Sequence, residues 1–362
     1  MKLTLATKAL VDALARVERI IPSRSNHAGA TLIAIDLAPG SVTFSGTNLD
    51  LDVRAQIAAD VSDTGRYAMP AQVLAQIARA LPGEDVTFDF GPEEVGIASG
   101  SFDTKIRLVA AENAPTLTFP TAFGGELDGA ALARALEHAH YAAAAADYQA
   151  VFRAVRLELH PQRTRAIATD GFRLASHLSD DHSGLDADVL IPARSVDELL
   201  KLLTDGPAKL ALSSSQLTAA SGPYTLNLKL MEGTFPEYER VFPTSFPVEV
   251  TVDASALAQA VGRVAVMADK AGNHRADLVV MDGRPQITSE GAFGRAEEEL
   301  AVEQQGSDTR IALAYNARYL SEAVAPIDGL VRLRFSGTTS PTVIDTLTNT
   351  AYLAMVVPLR TG

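Results

Sequence analysis

The sequence predicts an α+β chain made of three similar units, each with two helices backed by antiparallel strands. Three recurring patterns predict this class: a strand that leads into a helix, a second strand–helix–strand segment, and a hairpin between the two. Self-similarity at a fixed spacing is the sequence signature of repeated structural units. With 362 residues, the chain is long enough for two or three domains that each bury a core.

The first pattern opens each unit with a short alternating strand, followed by apolar residues spaced as on one face of a helix. It reads KLTLATKALVDALARVERI from Lys2, ELDGAALARALEHAHYA from Glu126 and EVTVDASALAQAVGRVAVMA from Glu249. The second pattern begins at Tyr67, Val189 and Arg310, and has Pro or Asn near the helix start. Together the two patterns predict helices over 7–20, 71–80, 129–142, 193–204, 254–270 and 316–325.

The hairpin pattern includes AIATDGFRLAS, whose Asp-Gly pair lies between two apolar runs. The slot of Thr169-Asp170-Gly171 holds Thr47-Asn48-Leu49 in the first unit and Ser289-Glu290-Gly291 in the third. Asp-Gly between alternating strands is a strong hairpin signal. Since the sister units fill this slot differently, we interpret Asp170 as a turn residue and not as a catalytic acid.

Proline-marked joints near 113–125 and 233–247 separate the units. They predict domains over 1–120, 126–244 and 248–362. Neither joint reads as a long flexible linker, so we expect the three domains to be held in a fixed relation.

Composition restricts the function. The chain has no cysteine, which excludes thiolate metal sites and cysteine nucleophiles and is consistent with a reducing compartment, so we expect a cytoplasmic protein. No run approaches the roughly 20 apolar residues of a membrane span. The net charge of −13 argues against a surface that grips phosphates everywhere. The same net charge is compatible with a basic surface that is enclosed by an acidic one.

Catalytic and metal motifs are weak. There is no phosphate-binding glycine loop and no nucleophile elbow. His138 and His140 point about 200° apart on a helix; the segment 177–182 (HLSDDH) is interpreted as a solvated loop. Asp50 and Asp52 would point to the same face of a strand, a pattern that a solvent-facing strand explains better than a metal site does. We therefore predict no enzyme, no cofactor and no metal, with a hydrolase that uses the Asp-Gly loop as a distant alternative.

Positive charge is concentrated in the helices. The six predicted helices hold ten basic and seven acidic residues, so they carry +3 while the remainder of the chain carries −16. Chance and helix-end preferences could produce this bias. The other hypothesis is that the helices of all units share one surface that faces a polyanion. Such units could close into a ring by rotation, and sparse cations would then hold DNA without hindering sliding.

Four segments carry a resemblance to a known family: ATDGFRLA (168–175), GTFPEYERVFP (233–243), LPGED after the second helix, and YLAMVVPLR near the end. With these segments the chain resembles, over its whole length, the bacterial DNA sliding clamps, the beta subunits of DNA polymerase III. The resemblance implies a head-to-tail homodimer of three clamp-type domains per chain that forms a ring around duplex DNA. It also implies ATP-driven loading by a clamp loader, tethering of replicative and repair polymerases, and no enzymatic activity.

The resemblance further implies a pocket for short clamp-binding peptides between the second and third domains, with Leu174 in an apolar wall and Arg173 at the rim. Its lining residues would be Phe152, Thr169, Gly171, Phe172, Arg173, Leu174, Pro236, Arg240, Val241, Thr342, Val357, Pro358 and Leu359. Plain core packing is the alternative for Phe172 and Leu174. Phe172 replaces the family's usual histidine or tyrosine, and the VVPLRTG tail replaces a methionine-rich ending.

Two more surfaces follow from the resemblance. The subunit contact would join an edge of the first domain to an edge of the third, through Lys105, Ile106, Arg107, Leu108, Val266, Met267, Glu297, Glu298 and Glu299. The surface toward DNA would present Arg16, Arg24, Arg79, Arg134, Arg194, Lys201, Arg263, Lys270 and Arg318. The alternative from another class is an acidic β-rich scaffold that binds only proteins.

Overall fold

A computed structural model describes residues 1–145, 150–203, 206–269, 273–281, 284–306, 310–347 and 351–360. These residues contain six α-helices, and all strand pairs in the sheets are antiparallel, which confirms the α+β class. None of the described helices combines the length and the apolar content that crossing a membrane requires.

The helices begin where the two sequence patterns place them. They are α1 (Thr7–Ile20), α2 (Ala71–Ala80), α3 (Gly129–His140), α4 (Ala193–Leu202), α5 (Ala254–Ala265) and α6 (Ala317–Val324). Asp253 caps α5 by accepting the Ala256 amide at 2.8 Å, and Asn316 caps α6 by accepting the Arg318 amide at 3.0 Å. The prediction that α5 extends to 270 was wrong, because the chain turns after Ala265.

Short strands connect the helices. They are β1 (Lys2–Ala6), β2 (Leu32–Ala38), β3 (Ser41–Thr47), β4 (Leu51–Ala58), β5 (Gly65–Pro70), β6 (Asp85–Phe90), β7 (Glu94–Ser99), β8 (Phe102–Arg107), β9 (Gly125–Asp128), β10 (Ala154–His160), β11 (Arg163–Thr169), β12 (Arg173–Ser179), β13 (Ala187–Pro192), β14 (Pro207–Leu212), β15 (Gln216–Ser221), β16 (Tyr224–Lys229), β17 (Val248–Asp253), β18 (Arg275–Met281), β19 (Arg284–Gly291), β20 (Gly294–Glu299), β21 (Glu303–Gly306), β22 (Arg310–Asn316), β23 (Leu330–Phe335), β24 (Thr342–Thr346) and β25 (Tyr352–Val356).

The first of two compact units combines Met1–Ala130 with Asp197–Leu230. It contains a four-stranded sheet in the order β1-β6-β7-β8 and an eight-stranded sheet in the order β5-β2-β3-β4-β16-β15-β14-β9. Pairing of β4 with β16 makes the larger sheet continuous between two sequence repeats, with Val53 opposite Leu226. Helices α1 and α2 contact each other, and α1 buries Leu10, Leu14 and Val17.

The second unit combines Ala131–Val196 with Met231–Gly362. Its nine-stranded sheet has the order β13-β10-β11-β12-β25-β24-β23-β17-β21, and its four-stranded sheet the order β20-β19-β18-β22. Here β12 pairs with β25, so that Ala175 lies opposite Ala354. Helices α5 and α6 contact each other, as α1 and α2 do in the first unit.

The first-unit hairpin places Asp50 and Asp52 in different positions. Strand β4 begins at Leu51, so Asp50 lies in the turn and the expectation of a shared strand face was wrong. Asp52 accepts a hydrogen bond from the Thr47 hydroxyl at 2.7 Å. Among the described residues, no group of three or more His, Asp or Glu side chains is placed to hold a metal ion.

A histidine pair joins α3 to β12 in the second unit. His138 Nδ1 lies 3.0 Å from His177 Nδ1, and His177 is buried within β12. The interpretation of 177–182 as a solvated loop was therefore wrong for His177, although His182 is exposed. Burial, then the neighbouring His138 and Arg134, lowers the pKa of His177 from 6.5 to about 4. Burial and Arg134 also lower the pKa of His138.

This histidine pair predicts acid sensitivity. A native-state pKa below the unfolded value means that the unfolded chain binds more protons, so stability falls as the pH drops from 6.5 toward about 4. We expect His177→Gln to flatten that decline by on the order of 2 kcal/mol in urea denaturation measured across this pH range. His182→Gln is the matched control and should retain the wild-type pH dependence. An equally steep decline in both variants would contradict the assignment.

Candidate functional site

The tip of the β11–β12 hairpin is a rigid turn. Oδ1 of Asp170 accepts the backbone amides of Phe172 at 2.9 Å and Arg173 at 3.0 Å, and Gly171 has a φ of +88°. The Thr169 hydroxyl donates to the Arg173 carbonyl at 2.6 Å. The prediction that Asp170 is a turn residue is confirmed, because its carboxylate is occupied by the turn itself.

Arg173 does not lie at a rim, contrary to expectation. It is 7% exposed, its Nε donates to Asp170 Oδ2 at 3.0 Å, and its Nη1 donates to Glu322 of α6. The guanidinium also lies 4.4 Å from the Tyr319 ring centroid and 5.5 Å from that of Tyr141. These carboxylates and rings compensate the buried charge, so Arg173 acts inside the protein as an anchor of the turn.

An apolar cluster lies beneath the hairpin. Leu174 is 2% exposed and packs with Phe235, Tyr238 and Met355 among its buried members. Core packing, the alternative interpretation, is therefore correct for Leu174. Partly buried apolar side chains border the same cluster: Val151, Met231 and Phe242.

Phe172 differs from Leu174 because its side chain is 58% exposed. Its carbonyl accepts the Val357 amide at 2.8 Å, which fixes the chain after β25 against the hairpin tip. The Leu359 amide donates to the Ala314 carbonyl at 2.7 Å. The structure thus brings together the predicted hairpin and tail residues, with Phe172 exposed and Val357 and Leu359 half-buried.

The other predicted lining residues have mixed environments. Val241 and Arg240 are exposed, and Arg240 forms an ion pair with Glu237 at 2.8 Å. Phe152 and Pro236 are half-buried, whereas Pro358 is buried. Thr342 is also buried, where its hydroxyl is hydrogen-bonded to that of Tyr315, so it supports the site from inside.

Four of the predicted helix cations, including Arg263, form ion pairs among the described residues. Arg79 binds Glu18, Lys201 binds Glu198 and Arg318 binds Glu322, each with a nitrogen–oxygen distance of 2.8 Å. Arg24, Arg134 and Arg194 are exposed, and no ion pair to them is seen among the described residues. Lys270 lies outside the described residues.

Two predicted cations have structural roles. Arg16 Nη1 donates to the Lys201 carbonyl at 2.8 Å and the Leu202 carbonyl at 3.2 Å, which satisfies acceptors at the end of α4. Because Arg16 is half-buried over the Tyr224 ring, it is not a free surface cation. Arg263 forms two hydrogen bonds with Glu298 of β20.

Strands β8 and β20, predicted for the subunit contact, both lie at sheet edges. Within the described residues each pairs along one side, β8 with β7 and β20 with β19. Lys105 and Arg107 of β8 are exposed and alternate with the half-buried Ile106 and Leu108. Of the acidic run, Glu298 is occupied by Arg263, and Glu297 accepts from Arg295 at 2.9 Å.

An exposed apolar group borders β20. Val266 is 77% exposed, and Phe293, at the β19–β20 turn, is 97% exposed. The turn lies against the end of α5, where a Cβ on Gly291 would come within 2.2 Å of the Met267 carbonyl oxygen. Phe293 was not among the predicted contact residues, although its position in the tip of a predicted hairpin was the available signal.

The fold and these surfaces define a class: a protein of repeated helix-and-sheet domains whose notable surfaces suit binding. Models of the DNA polymerase III beta subunit match its N-terminal domain at 1–118, its central domain at 126–237 and its C-terminal domain at 239–360. The chain therefore belongs to the DNA polymerase III beta subunit family.

Individual relatives span the whole chain. The beta sliding clamps of Synechococcus elongatus and Pseudomonas aeruginosa are each 27% identical, over 99% of this chain and 100% of theirs. Among solved structures, the sliding clamp of Bacillus subtilis has a TM-score of 0.94 at 20% identity, with full coverage of both chains. The P. aeruginosa clamp bound to griselimycin has a TM-score of 0.93 at 24% identity, again with full coverage of both chains.

The buried arginine predicts a contrast in stability at neighbouring positions. Arg173→Met removes the partner of two carboxylates, so we expect a loss of about 3 kcal/mol in the free energy of unfolding. Phe172→Ser, its exposed neighbour, should change that energy by less than about 0.5 kcal/mol. Urea denaturation at pH 7 measures both. Equal losses would mean that the turn does not depend on Arg173.

Proposed function

We propose that this protein is a DNA sliding clamp, a homodimeric ring that encircles duplex DNA and tethers replicative and repair polymerases as a processivity factor. As a member of its family it is a non-catalytic subunit, and we expect no cofactor. The observation that carries the proposal is the threefold match to clamp domains along the whole chain. We propose domain bounds of 1–120, 126–244 and 248–362. We also propose that the protein works in the cytoplasm and is loaded onto DNA by a clamp loader.

The helix cations support a weak grip on DNA. Several of them share their charge with a carboxylate, as Arg79 does with Glu18 and Lys201 with Glu198. Each tight phosphate contact that a protein makes adds affinity and must be broken again during sliding. We propose that exposed Arg24, Arg134 and Arg194 supply the freer positive charge, and that enclosure by the ring retains the DNA.

The hairpin surface supports peptide binding. An extended peptide with two or three hydrophobic anchors needs exposed apolar side chains on a rigid support. Phe172 and Val241 are exposed apolar side chains, and hydrogen bonds to Asp170 and Val357 restrain the Phe172 backbone. We propose that clamp-binding peptides of polymerases, loader and repair proteins dock here. We propose that griselimycin, bound in the P. aeruginosa clamp structure, also binds this surface.

The two edge strands support the subunit contact. An unpaired edge with alternating apolar and charged residues can add a strand from another chain. We propose that β8 of one subunit meets β20 of its partner, with Arg107 near the acidic run. We add Phe293 to the apolar part of this contact, because a phenylalanine that is 97% exposed beside an open edge favours burial in an assembly.

Retention on DNA tests the function. Clamp loaded onto nicked circular plasmid by a clamp loader with ATP should stay bound through gel filtration at high salt, because the ring is linked to the circle by topology. Cutting the plasmid once should release most of it. A protein-binding scaffold would be retained on neither form, and retention after linearisation would show affinity instead of enclosure.

Charge reversal tests the subunit contact. The double variant Lys105→Glu/Arg107→Glu places negative charge opposite Glu297 and Glu299, so we expect mainly monomers in analytical ultracentrifugation at micromolar concentration. The control Lys2→Glu/Lys209→Glu makes the same change in net charge at exposed positions on other strands and should remain dimeric. A charge-reversed dimer of unchanged strength would refute the pairing.

A further inference from the structure

We propose that Glu322 couples the two binding surfaces: it positions the peptide-binding hairpin through Arg173 and neutralises the exposed Arg318 on α6. This inference rests on the proposed function. The two oxygens of the carboxylate serve different arginines. Oε2 accepts from Arg173 Nη1, and Oε1 accepts from Arg318 Nε at 2.8 Å.

On the hairpin side, the turn depends on where Arg173 is held. Its Nε binds Asp170, the residue whose other oxygen accepts the Phe172 amide. The Arg173 guanidinium is buried over Tyr319, so loss of Glu322 would leave it with one carboxylate in place of two. A buried charge that loses a partner shifts to recover solvent or another acceptor. Such a shift would move the turn that presents Phe172.

Tyr319 ties the same turn to α6. Its ring lies under the Arg173 guanidinium, and burial followed by the nearby Asp170 raises the pKa of its phenol. Tyr141 and Tyr352 extend the network, since their hydroxyls are 2.7 Å apart and that of Tyr352 donates to the Ala323 carbonyl of α6 at 2.6 Å. The hairpin and α6 therefore share buried polar contacts.

On the helix side, Arg318 lies one turn before Glu322 and its side chain is exposed. A DNA phosphate that binds Arg318 would draw it away from Glu322. The carboxylate would then serve Arg173 alone and hold the hairpin more firmly. Coupling between two binding sites is reciprocal, so a bound peptide should in turn favour contact of Arg318 with DNA.

The test replaces the shared carboxylate. Glu322→Gln keeps the shape but removes the charge, so griselimycin should bind about tenfold more weakly in isothermal titration calorimetry. The same variant should bind a 20-base-pair duplex about threefold more tightly in fluorescence anisotropy at low salt, because Arg318 is no longer neutralised. A purely structural defect would weaken both interactions.

Two matched variants separate the causes. Glu198→Gln removes a carboxylate that pairs with Lys201 on α4, so it should tighten duplex binding without changing griselimycin binding. Arg318→Gln leaves Glu322 to Arg173, so it should weaken duplex binding and leave griselimycin binding unchanged or up to about threefold tighter.

Three outcomes would refute the proposed coupling. If the wild-type protein binds griselimycin and Glu322→Gln binds it within twofold, the coupling is refuted while the proposed function stands. If the wild type does not bind griselimycin, both the coupling and the proposed peptide surface are refuted. If Glu322→Gln is unfolded at the assay temperature, Arg318→Gln still decides, because weaker griselimycin binding in that variant would overturn the inference.

Discussion

Main-chain pairing between strands of successive sequence repeats is the constraint on which the other features depend. Strand β4 pairs with β16 in one unit and β12 with β25 in the other, so each repeat covers an edge that its neighbour would otherwise expose. The second pairing also brings the end of the chain to the hairpin tip, where the Val357 amide meets the Phe172 carbonyl. The candidate peptide surface is therefore a consequence of how the repeats join.

Charge in this protein is arranged in shared pairs more than in free patches. Glu322 serves two arginines, and Asp345 likewise accepts from Arg332 at 2.8 Å and from Arg334 at 2.7 Å. By contrast, pairs with an exposed cation, such as that of Arg79 with Glu18, contribute little stability but reduce the field that a polyanion meets. This suits the proposed function, in which a chain with a net charge of −13 surrounds DNA without adhering to it.

Sequence patterns predicted the secondary-structure elements better than they predicted the environments of individual side chains. Periodicity located the six helices that the structure describes, and the comparison of sister units identified Asp170 as a turn residue, because both signals are local. The same sequence could not show that Arg173 is buried, since Glu322 lies 149 positions away along the chain. Nor could it separate exposed Phe172 from buried Leu174, because both are apolar residues of the same hairpin and their burial depends on what the fold packs against each.

The sequence by itself determined the number of repeats, the order of helices and strands, and the absence of thiol chemistry, because repetition, periodicity and composition are properties of the chain alone. Only the tertiary structure decided which cations are free, which apolar side chains face solvent and which edges remain open. Those properties depend on contacts between distant segments, as the partners of Arg16 and Arg263 demonstrate. The sequence determines the charge of a side chain, but whether that charge is free to bind a partner depends on the residues that the fold packs beside it.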